Sequence, residues 1–215
     1  MIYWNTVNEV LKESLIKLMH EDELKDFRLV GGTALSLYLG HRMSIDIDLF
    51  TDAPYRSIDF DYIELFLKNN FGYINGEFGG NPGMGKSYLV GPDVDSVVKL
   101  DLYYTQDPFF QKMNVIENVR MATIEEIIAM KVDVVQRVGR KKDFWDLHEL
   151  LRHYSINEMI ALHKIRFEWT HNEELILENF TNFVTADNDL DPVCLRGGEW
   201  QFIREDLEEA VQNRS

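Results

Sequence analysis

The sequence predicts an α/β (α+β) fold that is followed by a C-terminal helical part. Strand-like apolar runs alternate with amphipathic helical patterns up to about residue 120, and only helical patterns follow from residue 123. The chain has 215 residues, 45% of them hydrophobic and 13 of them Phe, which is enough for one sizeable core and a small appendage. We therefore expect an α/β domain over residues 1–120 and a helical region over residues 121–215.

The elements of the first region follow from the spacing of their apolar residues. Helical spacing predicts helices, and period-two alternation or short apolar runs predict strands. In chain order the expected elements are a helix over 4–20, a strand over 27–30, a helix over 33–41, a strand over 45–50, a helix over 57–69, two β-like runs over 72–78 and 87–91, and a strand over 96–104.

The second region begins after a break near Gln106-Asp107-Pro108. Helices are expected over 123–138, 142–153, 155–165, 172–183 and 200–212. The first of them starts with Thr123-x-x-Glu126, a capping-box signature.

Charge and composition limit the partners of the chain. A formal net charge of −15 opposes attraction to nucleic acid by the protein as a whole, so such contact requires a local basic patch. A single cysteine, Cys194, excludes an intramolecular disulfide and fits a reducing compartment. The N-terminus lacks a signal-peptide pattern, and no apolar stretch approaches the roughly 20 residues of a membrane span. We expect a soluble cytoplasmic protein without membrane contact.

The stretch GGTALSLYLGHRMSIDID at residues 31–48 predicts a site for phosphate and metal. Gly31 and Gly32 allow a sharp turn and close approach of a ligand, and Thr33 opens a helical pattern whose first N–H groups are free. Asp46 and Asp48 lie two residues apart, which places both carboxylates on the same face of a strand. Such a pair suits Mg²⁺, which prefers carboxylates together with substrate phosphates.

A third carboxylate is expected from a neighbouring strand. In VVKLDLYY, Asp101 and Lys99 share the face opposite to the apolar residues, so Asp101 is presented as Asp46 and Asp48 are. Three carboxylates on one face repel each other unless a cation neutralises them. The alternative is that Asp101 is an exposed strand charge.

Charged residues of the C-terminal region form the other half of the candidate site. Lys131 lies within the apolar stripe of its helix, so it is either paired with an acid or placed to meet nucleotide phosphates. Asp143 and Asp146 lie three residues apart on the next helix and share a face. Between the helices is the only dense basic run, Arg137, Arg140, Lys141 and Lys142. It is either a solvated loop beside a helix C-terminus or an entrance for a triphosphate or an RNA strand.

Two further pattern matches are given little weight. Gly80 to Ser87 satisfies the P-loop string G-x-x-x-x-G-K-[ST], but β-like residues follow it where a phosphate-binding helix is required. A glycine-rich hairpin is the preferred interpretation. Arg166-x4-His171 matches the loose spacing of some helical ribonucleases, a pattern short enough to arise by chance. The six histidines show no zinc-binding spacing.

The Gly-Gly, helix, Asp-x-Asp order resembles the first motif of the nucleotidyltransferase superfamily. GGTALSLYLGHRMSIDIDLF is similar to the AbiEii/AbiGii toxin family of bacterial abortive-infection systems, and the resemblance extends to about residue 150. It implies a nucleotidyltransferase-like mixed β-sheet flanked by helices, with the C-terminal region completing the active-site cleft. It also implies two Mg²⁺ ions, or Mn²⁺ instead, on Asp46, Asp48 and Asp101.

The same resemblance implies roles for the remaining residues. An NTP would be held by Gly31, Gly32 and Thr33 through its β- and γ-phosphates and by Lys131, with Asp143 or Asp146 as the aspartate of the last motif and Asp143 preferred. The nucleotide would pass to an acceptor hydroxyl, expected on RNA at the tRNA 3′ end. A cognate antitoxin protein is the implied partner.

Three other classes remain open at this point. A nucleotidyltransferase of the antibiotic-modifying type would modify a small molecule, and a broad basic groove near 137–142 would argue against it. A P-loop kinase or NTPase requires a helix that starts at Lys86. A non-catalytic nucleotide-binding module would have lost part of its carboxylate triad, and none of the three is missing here.

Overall fold

A computed structural model describes residues 1–214 of the chain. Their strands form one mixed, seven-stranded sheet in the order β3-β4-β5-β2-β1-β7-β6. The strands are β1 (Arg28–Leu29), β2 (Asp46–Thr51), β3 (Tyr73–Gly76), β4 (Gly85–Asp93), β5 (Ser96–Tyr104), β6 (Asn114–Ile116) and β7 (Val119–Met121). The β2–β5 and β1–β7 pairs are parallel and the other neighbours are antiparallel. The predicted α/β class with a mixed sheet is confirmed.

Eight α-helices surround this sheet within residues 1–214. They are α1 (Glu9–Met19), α2 (Gly31–Leu39), α3 (Phe60–Asn70), α4 (Ile124–Gln136), α5 (Lys141–Leu150), α6 (Ile156–Arg166), α7 (Glu173–Phe180) and α8 (Trp200–Gln212). Most begin at side-chain caps; Thr123, for example, accepts a hydrogen bond from the Glu126 N–H at 3.3 Å. None of the helices in this range has the length and apolar character that crossing a bilayer requires.

The sheet places the functional candidates because its two faces differ. Along β2 burial alternates, with Ile47 and Leu49 fully buried on one face and Asp46 and Asp48 partly accessible on the other. The parallel neighbour β5 aligns Asp101 directly with Asp48. The carboxylate-bearing surface is called the acidic face below.

Two predicted elements have different limits in the structure. The helix expected over 4–20 is interrupted, because Asn8 caps α1 by accepting the Leu11 N–H at 2.8 Å and a short 3-10 turn precedes it. The helix expected to open at Thr33 already begins at Gly31 and ends where Gly40 adopts a left-handed φ of 69°.

A short hairpin, β6–β7, was absent from the sequence prediction. Its turn residues Glu117 and Asn118 have φ angles of 50° and 65° without any glycine, so the usual hairpin signal is missing. Strand β7 pairs with β1 beside α4, and the predicted domain boundary at residue 120 falls inside this strand. That boundary stays a prediction.

The P-loop reading of Gly80 to Ser87 is wrong, because Gly85 opens strand β4 where the motif needs a helix. The Lys86 side chain is buried on the face of the sheet opposite to the acidic face. Its Nζ lies 2.5 Å from Glu64 Oε1 and 2.8 Å from the Gly79 carbonyl. Lys86 is therefore a structural ion-pair residue, and the preferred glycine-rich hairpin is what forms.

Candidate active site

The acidic face carries the three aspartates that the sequence singled out. Asp46 and Asp48 come from β2, and Asp101 stands beside Asp48 in the register of the parallel strand pair. One oxygen of Asp101 lies 2.5 Å from Lys99 Nζ, while the buried Oδ1 has no partner among residues 1–214. The three aspartates, called the carboxylate cluster below, thus share one face of the sheet, and Lys99 neutralises Asp101.

Asp48 is the most perturbed acid of the cluster. Its burial, with the neighbouring charges of Asp101 and Asp46, raises the pKa of Asp48 to about 6, against an opposing effect of Lys131 and Lys99. A nearby cation would favour the ionised form of such a carboxyl group.

The N-terminus of α2 lies against this cluster. Gly31 has a left-handed φ of 68°, and a Cβ built on it would be 2.6 Å from Asp48 Oδ2. A Cβ on Gly32 would be 2.4 Å from Arg42 Nη2. A side chain at either glycine would thus displace Asp48 or Arg42, and the first N–H groups of a helix such as α2 lack acceptors within the helix.

Thr33 has a different placement from the one expected for a phosphate ligand. Its buried hydroxyl lies 2.8 Å from Ser44 Oγ and donates to the Asp46 carbonyl oxygen. These bonds tie the first turn of α2 to the start of β2. In this arrangement the Thr33 side chain fixes the frame of the site and does not line its cavity.

A buried network of charges forms the opposite wall. Lys131 Nζ on α4 lies 2.7 Å from Asp143 Oδ1 and 2.6 Å from Asp146 Oδ2, both on α5. Burial opposes the charge of Lys131, but Asp146 and Asp143 raise its pKa above the usual value. The sequence left open whether Lys131 pairs with an acid or is placed to meet nucleotide phosphates. In the structure it pairs with two acids and also lines the cavity.

Asp146 is the hub of this network and has no exposed surface. Burial would raise its pKa, but Arg42 and Lys131 hold the pKa of Asp146 well below its ordinary value. His41 Nε2 lies 2.8 Å from Asp146 Oδ1. Asp143 lines the cavity whereas Asp146 lies behind Lys131 and Arg42.

Arg42 and His41 were missed by the sequence analysis. A backbone bridge between Arg42 and Cys194 and the Leu195 N–H bond to the His41 carbonyl, at 2.9 Å, hold this segment from the C-terminal side. The available signal was a pair of basic residues inside the glycine and aspartate motif. Their partner Asp146 is more than 100 residues away, so no local pattern could reveal it.

A cavity of about 340 Å³ lies between the acidic face and the α4–α5 wall, within the range of small-molecule sites. Among its lining residues are Gly31, Gly32, Arg42, Asp46, Asp48, Lys131, Arg137, Arg140, Lys142, Asp143 and Arg166. Asp46 and Asp48 lie on the sheet side, while the helical side contributes most of the cations together with Asp133 and Asp143. A surface of this kind suits a ligand that carries phosphates and binds a cation.

The basic run between α4 and α5 separates into residues with different environments. Lys141 is buried and binds the Asp189 carbonyl and Asp191 at 2.6 and 2.9 Å. Lys142 faces the cavity, 3.9 Å from Asp46 Oδ2, and burial together with Arg140 lowers its pKa. Arg137 and Arg140 keep 69% and 59% of their side-chain surface exposed. The sequence left open a solvated loop or an entrance for a triphosphate or an RNA strand. Neither describes the whole run, because Lys141 is structural and the other three residues border the cavity.

The ribonuclease-like pair does not act as a unit in the structure. Arg166 Nη1 lies 2.5 Å from Glu126 Oε2 in a fully buried ion pair. His171 Nδ1 instead lies 2.8 Å from His163 Nδ1.

The donor set fits a divalent cation in its chemistry. Asp46 and Asp48 offer hard oxygens on one rigid strand, and the buried, unpartnered Oδ1 of Asp101 is a third. No group of three His, Cys, Asp or Glu side chains within residues 1–214 already has the spacing of a formed metal site. The Lys99 ammonium lies 2.5 Å from one oxygen of Asp101.

The fold and this site together define a protein of the nucleotidyltransferase class. The model of the family described as nucleotidyl transferase AbiEii toxin, type IV toxin–antitoxin system, matches residues 14–214. The chain belongs to this AbiEii family.

Individual relatives are more distant. An uncharacterized protein of Aquifex aeolicus is 28% identical over 146 residues, which cover 66% of this chain. The matched part spans about two thirds, 65%, of the length of that curated relative.

Solved structures share the fold over almost the whole chain. A candidate nucleotidyltransferase from H. pylori is similar with a TM-score of 0.60 and 20% identity, covering 95% of this chain and 94% of that one. The nucleotidyltransferase toxin MenT4 from Mycobacterium tuberculosis has a TM-score of 0.56 and 12% identity, covering 93% and 84%. A nucleotidyltransferase-like protein from Paracoccidioides brasiliensis has a TM-score of 0.53 and 18% identity, covering 95% and 93%.

Proposed function

We propose that the chain is a cytoplasmic, metal-dependent nucleotidyltransferase that moves a nucleotide from an NTP to a hydroxyl group of RNA, with the tRNA 3′ end as the favoured acceptor. The observation that carries the proposal is the shared cavity, which brings the Gly31–Gly32 helix start, Asp46 and Asp48 together with Lys131. In the biology of its family, the chain would be the toxin partner of a cognate antitoxin protein.

In this proposal the acceptor hydroxyl oxygen attacks the α-phosphorus of the NTP, and the bond from that phosphorus to the leaving pyrophosphate breaks. Such chemistry needs positioning and charge neutralisation more than a reactive side chain. The α2 N–H groups at Gly31 and Gly32 would hold the β- and γ-phosphates, and Lys131 would balance the charge of the leaving pyrophosphate. Arg42, which lines the same cavity, would support this charge balance.

Asp46, Asp48 and Asp101 would hold Mg²⁺ or Mn²⁺, which supplies Lewis-acid stabilisation of the phosphates and the attacking oxygen. Asp101 has a second use in the proposal. It would also accept the proton that the acceptor hydroxyl releases, either directly or through the cation that it holds. Asp143 would orient Lys131 from within the cavity wall, at the observed 2.7 Å.

The surroundings of the cavity favour RNA over a small antibiotic-like acceptor. Arg137, Arg140 and Lys142 border the cavity and retain exposed surface in a chain of net charge −15. Such a local basic rim is what contact with a polyanion requires. The retained carboxylate cluster likewise favours an enzyme over a non-catalytic binding module.

The test is to incubate the purified protein with each labelled NTP, Mg²⁺ or Mn²⁺, and total tRNA. Transfer of label to the RNA 3′ end is expected for at least one nucleotide and is expected to disappear in Asp48→Asn. No transfer to RNA with any NTP, or equal transfer by Asp48→Asn, would contradict the proposal. Transfer to a small-molecule acceptor alone would support the antibiotic-modifying alternative.

A further inference from the structure

The acidic face of the sheet continues past Asp101 as an uncovered surface on β5, β4 and β3. Strand register places Ser87 beside Asp101 and places Asn75 beside Leu89 on the same face. Leu89 is 39% exposed, and Asn75 is also exposed, although both lie on paired strands. This surface, here called the β3–β5 platform, is therefore not covered by the helices that enclose the rest of the site.

Strand order places the platform and the start of α2 on opposite sides of the aspartates. The helix start that would hold the leaving phosphates lies at the β1 side of the acids, which come from β2 and β5. In phosphoryl transfer the attacking and leaving oxygens lie roughly in line on opposite sides of the phosphorus. The attacking hydroxyl must then arrive from the β4 and β3 side, across the platform.

The platform offers groups that suit a nucleoside. Tyr103 on β5 is half-buried and stands next to Phe50, with ring centroids 6.1 Å apart and an interplanar angle of 54°. Ser87 Oγ lies 3.1 Å from the Tyr103 hydroxyl. An aromatic ring with adjacent hydroxyl and amide groups can stack a base and bind its sugar or polar edge.

A second cavity, of about 550 Å³, adjoins this surface and also reaches Lys86 from the other face of the sheet. It is lined by Tyr103, Ser87, Asn75, Gly76, Glu77 and Lys86, and by four residues of the glycine-rich segment, Gly79, Asn81, Pro82 and Gly85. Its volume is in the range of a site for one nucleotide. The glycine-rich segment that mimics a P-loop in sequence is thus placed on the acceptor side of the acids.

We propose that the β3–β5 platform binds the 3′-terminal nucleotide of the RNA acceptor, with its base against Tyr103 and its hydroxyl directed at Asp101. This inference rests on the proposed nucleotidyl transfer to RNA. It assigns the donor nucleotide to the cavity beside α2 and α4, and the acceptor nucleotide to the cavity beside β4.

The experiment measures binding of a short single-stranded RNA with a free 3′-hydroxyl by fluorescence anisotropy. Tyr103→Ala should weaken RNA binding about tenfold, the order expected for loss of one base–aromatic stack. Tyr103→Phe should keep the ring and most of the RNA affinity.

The control variant is Tyr62→Ala, which removes a half-exposed tyrosine from the other side of the sheet and should leave the RNA affinity unchanged. The NTP dissociation constants of wild type and the three variants, measured by calorimetric titration, should agree within about twofold. Such agreement shows that the donor site is intact.

Photocrosslinking of wild-type protein to RNA with 3′-terminal 4-thiouridine avoids any folding defect of the variants. Crosslinks within β3–β5 or residues 79–85 support the platform, whereas crosslinks confined to residues 137–142 overturn it. Equal RNA affinity of Tyr103→Ala and wild type also overturns it. If wild-type protein binds NTP but labels only a non-RNA acceptor, the proposed RNA site on the platform is refuted, while the nucleotidyltransferase activity is not. RNA binding through Tyr103 without any transfer would refute the proposed function instead.

Discussion

Arg42 and Asp146 form a two-pronged ion pair in the interior of the protein. Arg42 Nε lies 2.6 Å from Asp146 Oδ1, and Arg42 Nη2 lies 2.8 Å from Asp146 Oδ2. The pair joins the loop after α2 to helix α5, and Lys131 is attached to the same carboxylate. Both walls of the candidate active site therefore depend on a single buried aspartate.

The first prediction concerns the stability of this hub. Asp146→Asn leaves the charges of Arg42 and Lys131 undercompensated in a buried site, so the free energy of unfolding should fall by about 3 kcal/mol. Urea denaturation followed by circular dichroism measures the change. Asp187→Asn, which breaks a half-exposed pair with Arg204, is the matched control and should cost under about 1 kcal/mol. Equal losses in the two variants would argue against a structural hub.

Lys131→Met separates a phosphate contact from a structural ion pair. The variant keeps the side-chain length but removes the charge at the cavity, so NTP affinity should fall by about tenfold or more in addition to a loss of stability. Lys86→Met removes a similarly buried lysine that pairs with Glu64 on the opposite face. It should lower the melting temperature without weakening NTP binding. Unchanged affinity in folded Lys131→Met, measured by calorimetry, would leave Lys131 only its structural role.

Gly32→Ala tests close approach at the start of α2. The added Cβ would lie 2.4 Å from Arg42 Nη2, so the guanidinium must move away from the cavity wall. We expect NTP affinity to fall by about tenfold. Gly198→Ala is the control, because its Cβ would make an ordinary contact of 3.4 Å with Trp145. Similar NTP affinities for the two variants would show that the helix start does not hold phosphate.

Asp48→Asn should stabilise the metal-free protein in a pH-dependent manner. The pKa of Asp48 is raised from 3.8 to about 6 in the folded state, so folding favours the protonated carboxyl. The resulting stability is lost as the pH rises from about 4 through 6. In EDTA the variant should gain roughly 3 kcal/mol over wild type at pH 7.5 and close to none at pH 4. Asp95→Asn, at the exposed β4–β5 turn, should show no such pH dependence. A pH-independent gain in Asp48→Asn would count against a raised pKa of Asp48 in the folded state.

Local patterns in the sequence were sufficient to predict most of the elements. The alternation around Asp46 and Asp48 and the apolar stripe of α4 are encoded within a few residues, and the structure shows both. The start of α2 was predicted two residues late, because the apolar spacing after Thr33 does not reveal that Gly31, with its left-handed φ, already opens the helix.

Pairing between distant residues was beyond the reach of local patterns. Arg42, for example, finds its partner Asp146 on α5, more than 100 residues further along the chain. The β6–β7 hairpin was missed for a related reason. Its turn residue Glu117 receives hydrogen bonds from the Ile2 N–H and from Trp4 Nε1, so contacts from the N-terminus support a turn that lacks glycine.

The two-residue strand β1 has a mechanical consequence. Leu29 is aligned with Leu49 on the strand that carries Asp46 and Asp48, and with Met121 on the strand that leads into the Lys131 helix. Within the sheet of residues 1–214, β1 is the strand that joins the half with β2 to the half with β7. A fragment cut at residue 120 would keep its carboxylates yet lose the lysine that faces them. Fragment complementation, with residues 1–120 and 121–215 supplied separately, would therefore need this joint to reassemble before any nucleotide could be held between them.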